Sequence, residues 1–128
     1  MPTHELHTTL INVAKKDLRL AKLAASEDDP YVEGVCFHCQ QCAEKVLKAY
    51  LIYNGIKYKF IHDLKMLLQE CEKIDNTLSG FETHCQILTG YSTDMRYWDD
   101  SEIDVKEMFE AIDLAEEVLN FVNDKLFK

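Results

Sequence analysis

Glycine and proline are scarce in this chain of 128 residues and basic residues are in deficit, and each shortage removes a class of protein. With four glycines and two prolines there is no glycine-rich phosphate loop and little of the turn chemistry that a sheet of short strands needs. No apolar run approaches the ~18 residues of a membrane span, and Met1 to Leu10 is polar with two histidines, so neither a span nor a signal peptide is read. The expected location is cytoplasmic. Basic residues are outnumbered to a formal charge of −9, which argues against a protein that binds nucleic acid backbones on its own. No histidine follows His84, no carboxylate pair sits in an apolar run, and no Ser-His-Asp order can be traced. The residues by themselves specify no reaction.

What is present is helix. Apolar residues make up 47% of the chain, enough for one continuous core, and they recur every three or four positions almost throughout. The chain reads as a single domain over residues 1–128, an all-α up-and-down bundle of about five helices. The first helix is predicted from His4 to Ala25, with Leu6, Leu10, Val13, Leu20, Ala21 and Ala24 facing in. Asp29-Pro30 reads as the start of a second helix, because aspartate caps free amides and proline suits the first helical turn. That helix should run about 36 Å, to Asn54-Gly55.

Asp63 is the predicted cap of a third helix ending near Lys73, and residues 75–80 read as a turn. Leu78, Phe81, Cys85, Leu88, Tyr91 and Met95 mark a fourth helix ending near Trp98. Ser101 and Asp104 look like a capping box opening the last helix, with Met108, Ile112, Ala115, Leu119, Val122 and Leu126 inward.

Charge is unevenly spread. Residues 45–73 hold six lysines against three acids, and residues 94–128 eleven acids against four basic residues. Such asymmetry can steer a charged ligand or partner, or reflect ordinary solvated helix faces.

The stretch from Phe37 to Leu51 carries Gln40-Gln41 and then Ala43-Glu44-Lys45, Leu47-Lys48-Ala49 and Leu51, with Glu44 and Lys48 in a favourable i,i+4 order. This segment resembles the second helix of HEPN domains, the small helical domains of higher eukaryotes and prokaryotes named for nucleotide binding. Cys42 departs from the family's alanine. Lys16-Asp17-Leu18, His62-Asp63-Leu64 and Tyr91 with Arg96-Tyr97 follow the family's order, so the resemblance spans nearly the whole chain.

In the enzymatic branch of that superfamily, metal-independent RNA cleavage uses an arginine followed, after four to six residues, by a histidine. Arg96 lies in the right region, but Ser101, Glu102 and Ile103 stand at the histidine's places. The resemblance therefore implies a noncatalytic binding protein of the prokaryotic stand-alone type. Such a protein binds a nucleotide, or is the partner subunit of a minimal nucleotidyltransferase in a toxin-antitoxin-like pair, and is a homodimer. An RNA-cleaving toxin using Arg96 is the alternative, disfavoured by the missing histidine.

Seven residues are candidates for ligand or partner contact. Gln41, Lys45 and Lys48 lie on one polar face of the second helix. His62 stands at a helix start, where it caps the backbone or meets a phosphate. Arg96, with Tyr91 and Tyr97 beside it, offers a planar cation to a phosphate or carboxylate, unless Asp94, Asp99 or Asp100 engages it in a salt bridge. Cys36-x-x-Cys39 with His38 invites a zinc reading, but a second closely spaced ligand pair is missing and Cys36, Cys39 and Cys42 have core spacing. No metal site, catalytic residue or cofactor is expected beyond a nucleotide ligand, and the five cysteines should be thiols packed as small hydrophobes.

Overall fold

The computed structural model describes residues 3–57, 63–91 and 103–128. Among them are five α-helices, one 3-10 turn and no strand: α1 (Thr3–Ala25), α2 (Val32–Tyr53), α3 (Leu64–Ile74), a 3-10 turn (Asn76–Phe81), α4 (Glu82–Thr89) and α5 (Val105–Phe127). The all-α bundle is as the hydrophobic spacing requires. His62, Arg96 and Tyr97 lie outside the described residues, as do Met95, Trp98 and Ser101.

α2 is the central element, packed against all the other helices. From Val35 to Ile52 it is buried on nearly every side, which only a helix surrounded by others can be. Its start corrects the sequence reading. The helix begins two residues after Pro30, with Tyr31 at the cap position and no side-chain cap bond; the first ladder bond runs from Val35 N to Tyr31 O at 3.0 Å. Asp28 and Asp29 remain exposed in the connecting turn, because the chain needs them to reverse along α1 before Val35 can reach the core.

The end of α2 follows the expected chemistry. Gly55 takes φ +76, the left-handed conformation that lets Gly55 N donate to Ile52 O and Ile56 N to Leu51 O, both at 2.9 Å.

α1 faces inward by a different stripe from the one its leucines predict. His7, Ile11, Ala14, Asp17, Leu18, Ala21 and Ala25 are buried, while Leu6 and Leu20 are 41% and 51% exposed. Two overlapping stripes were available at helical spacing. The one with three alanines prevails because small side chains let α1 lie close to α2, and because it brings Asp17 to a cationic partner there.

Asp63 caps α3 by accepting from Lys65 N at 2.8 Å. Residues 75–80, expected as a loop, are largely the 3-10 turn, fixed by Asp75 Oδ1 accepting from Thr77 N at 3.0 Å and Thr77 Oγ1 at 2.6 Å. α4 proper is therefore shorter at its start than its apolar spacing implied. α5 is capped by Asp104 itself, whose Oδ1 accepts from Glu107 N at 2.7 Å, so the cap sits three residues after Ser101. Its inner face, Met108 through Leu126, contains every residue the spacing marked and adds Ala111 and Val118.

Candidate functional site

Where the last turns of α1 meet the first turns of α2 lies a cleft of about 470 Å³. Leu20 and Ala24 come from α1, Glu33, Gly34, Val35, Phe37 and His38 from α2, Tyr31 from its cap position, and Tyr91 from the turn after α4. The cleft is open because the α1 stripe that packs on α2 leaves Leu20 at its rim. Gly34 gives it room. A Cβ there would stand 2.5 Å from Tyr31 Cδ2, so glycine is what allows the Tyr31 ring to lie against the helix.

Polar groups are few at the cleft and held in place. His38 Nδ1 lies 3.3 Å from Asp17 Oδ1, and the other oxygen of Asp17 accepts from Lys45 Nζ at 2.6 Å. Asp17 is only 8% exposed, so its carboxylate is a fixed anchor between the two helices. Across the cleft, burial first, then Cys36 and the carboxylates of Glu107 and Glu110, with a hydrogen bond to Glu107, hold the Tyr91 phenol far above its usual range. It stays neutral and can donate a hydrogen bond.

The glutamine pair and its neighbours form a second network, running along α2. Gln41 Nε2 donates to Gln40 Oε1 at 2.7 Å, Gln40 Nε2 to Glu44 Oε1 at 3.3 Å, and Lys48 Nζ to Glu44 Oε2 at 2.8 Å. Gln40, Glu44 and Lys48 are 2%, 6% and 8% exposed. The face of α2 that reads as polar from sequence is thus largely interior. Burying such groups is tolerable because each spends its hydrogen-bonding capacity on a neighbour.

Of the seven sequence candidates, the structure places Gln41, Lys45 and Lys48 in these two networks and Tyr91 in the cleft wall. Gln41, Lys48 and Tyr91 do not line one surface together. Asp17, Tyr31, Phe37 and His38 are not among the seven contact candidates, and the sequence reading takes up His38 only as a zinc ligand. The available signal was a lone carboxylate, Asp17, inside the small-residue stripe of α1, since a charge on a buried face must find a partner.

A smaller recess of about 330 Å³ lies between α3 and α4, lined by Lys65, Leu68, Gln69, Glu72, Glu82 and Gln86. Burial and then the neighbouring Glu82 carboxylate push the Glu72 carboxyl up. All five cysteines are buried and free. Burial is the main reason that Cys42, Cys71 and Cys85 are pushed up to about 12 and Cys39 further, so they are protonated at neutral pH and not poised as nucleophiles. Among the described residues, no three His, Cys, Asp or Glu side chains are grouped to hold a metal ion, and no helix is long and apolar enough to cross a membrane.

A five-helix bundle wound round one buried central helix, with a cleft at its α1–α2 end, is the class of protein that these features define. The HEPN domain matches residues 8–125, and the chain belongs to that family. The crystal structure of ST0689, an archaeal HEPN homologue, superposes with a TM-score of 0.76 at 29% identity, over 94% of this chain and 97% of that one. The crystal structure of TT1696 from Thermus thermophilus does so with a TM-score of 0.79 at 26% identity, over 98% of this chain and 99% of that one. No curated protein matches the chain in sequence.

Proposed function

We propose that this HEPN domain acts by binding rather than catalysis: it holds a nucleotide in the α1–α2 cleft and serves as the homodimeric partner subunit of a minimal nucleotidyltransferase. The observation that carries the nucleotide reading is the cleft itself. It has the size of a small-molecule site, aromatic and aliphatic walls, and a few oriented polar groups. The partner reading rests on family membership, which by itself does not fix function, and on apolar surface beside the cleft. Leu20, Leu23 and Tyr31 are 51%, 60% and 71% exposed there, a cluster of the kind that a partner covers.

The noncatalytic reading rests on the absence of any histidine after Arg96. A general acid or base of the right type is missing where the family's RNA-cleaving members place it. Arg96 and Tyr97 follow the cleft residue Tyr91 in sequence, and Arg96 is the natural cation for the phosphates.

Calorimetric titration of ATP and GTP tests the reading, with Tyr91→Ala and Arg96→Ala as variants and capture of a minimal nucleotidyltransferase alongside. Saturable binding weakened by both substitutions is the expected result. Absence of nucleotide binding removes the ligand half of the proposal. RNA degradation by the purified protein that is lost in Arg96→Ala overturns the noncatalytic half in favour of a toxin nuclease.

A further inference from the structure

We infer that the outward face of α1 is the homodimer contact: two copies lay α1 antiparallel on α1, with Leu20 and Leu23 at the centre and Lys16 of each copy against Glu27 of the other. The inference rests on the homodimer reading above and deepens it by naming the face that makes it.

The stripe comes first. Lys16, Leu20, Leu23 and Glu27 follow at helical spacing, so they share one side of α1 and of the turn that continues it. Ser26 N donates to Leu23 O at 3.2 Å and Glu27 N to Ala24 O at 3.3 Å, so the chain keeps turning past Ala25 and Glu27 stays in line. At about 100° per residue this side is opposite the buried stripe of Ile11, Ala14, Leu18, Ala21 and Ala25, and it therefore points away from α2 and α5. All four residues are exposed, the two leucines neighbours one turn apart.

Charge is the second argument. The charges beside the stripe are spent within the protein, Lys22 on Glu116 and Asp17 on Lys45. The Lys16 ammonium and the Glu27 carboxylate have no such partner among the described residues.

The order of the stripe says what covers it. Cation, leucine, leucine, anion is its own complement when reversed. Lys16 and Glu27 are centred between Ala21 and Lys22, and so are Leu20 and Leu23. A two-fold axis across the helix at that point sets Leu20 against Leu23 of the other copy and Lys16 against its Glu27, an isologous contact in which every apolar and charged group meets its match. A partner of unrelated sequence needs no such reversed order, which is what assigns the face to a second copy. The carboxylate in the stripe and the net charge of −9 speak against a phosphate backbone or an anionic membrane. A contact centred on these four side chains from each copy is at the small end of specific interfaces, so the dimer is a reversible one.

Sedimentation equilibrium of the purified protein tests the inference, with Lys16→Glu, Glu27→Lys, the double variant and Leu23→Asn. All are changes at exposed positions, and circular dichroism checks that the helices are kept. The wild type should dimerise reversibly, and more weakly in high salt. Each single charge reversal should weaken the dimer about tenfold, since the two-fold turns two attractions into two repulsions. The double variant should recover the dimer, and an equimolar mixture of the two single variants should form heterodimers. Leu23→Asn should remove the dimer at concentrations where the wild type forms it.

A dimer that none of these changes weakens leaves the homodimer reading standing and removes the α1 face. A wild type that stays monomeric removes both. If it stays monomeric while Lys16→Glu or Leu23→Asn abolishes capture of a minimal nucleotidyltransferase, the face belongs to that protein and the second copy is overturned. Failure of both the double variant and the mixture to recover a dimer overturns the antiparallel register.

Discussion

Replacing Asp17 by alanine should destabilise the fold measurably, because among the described residues this is the one carboxylate on the buried stripe of α1, and it anchors both His38 and Lys45 on α2. The size of the effect follows from exposure. Removing one partner of a fully buried ion pair costs about 3–5 kcal/mol. A surface pair contributes only ~0–1 kcal/mol. Here the two side chains are 11% and 25% exposed, so Asp17 is interior while Lys45 keeps a route to water. The orphaned ammonium can reach solvent, which places the expected loss at about 2 kcal/mol, between those limits.

For a chain of 128 residues, each kcal/mol lowers the midpoint by about 4 °C, so the thermal transition should drop by about 8 °C. Calorimetry of the wild type, Asp17→Ala, Lys45→Ala and the double variant closes the cycle. A coupling near 1 kcal/mol is expected, since each single change removes the same contact. Additive single effects, together with a midpoint shift in Asp17→Ala below about 2 °C, would refute the claim that this pair joins α1 to α2.

Four further outcomes follow from the described geometry. Gly34→Ala should leave stability unchanged or slightly raised, because alanine favours helix, yet weaken ligand binding in the cleft by displacing the exposed Tyr31 ring; circular dichroism and calorimetric titration together check it. Gly55→Ala should cost about 1 kcal/mol in urea denaturation purely from its backbone, since a Cβ there meets nothing while φ is +76, and Gly55→Asn should cost less. Asp104→Ala should cost about 1 kcal/mol by uncapping α5, with faster amide exchange at Glu107.

The fourth concerns acid. Hydrogen bonds from Lys125 first and then Thr77 lower the Asp75 carboxyl from the ordinary 3.8 to about 2. A depressed folded value stabilises the fold above the unfolded one. That contribution should therefore be complete above pH 4 and disappear as pH falls towards 2, a window that Lys125→Met should narrow in acid denaturation curves.

Helix positions were legible wherever one local rule dominates. Gly55 ends α2 because the left-handed turn is a property of glycine itself. Asp63 caps α3 because an aspartate beside a free amide needs nothing from the rest of the fold. The start of α2 was misread because Asp29-Pro30 satisfies the same local rule, while the position at which Val35 enters the core prevails over it. The cleft was invisible to spacing. Asp17 meets His38 and Lys45 across 21 and 28 residues of chain, and no periodicity links them.

The amino-acid sequence alone determined that the chain is an all-α bundle, since apolar recurrence every three or four residues has no other folded solution. It also determined the family, because the ordered motifs around Gln40-Gln41 run the length of the domain. Only the tertiary structure decided which stripe of α1 faces inward, that Gln40, Glu44 and Lys48 are interior, and that a cleft opens beside His38. The physical reason is that helical spacing defines a face but not its direction, which is set by close packing and by where a buried charge finds its partner.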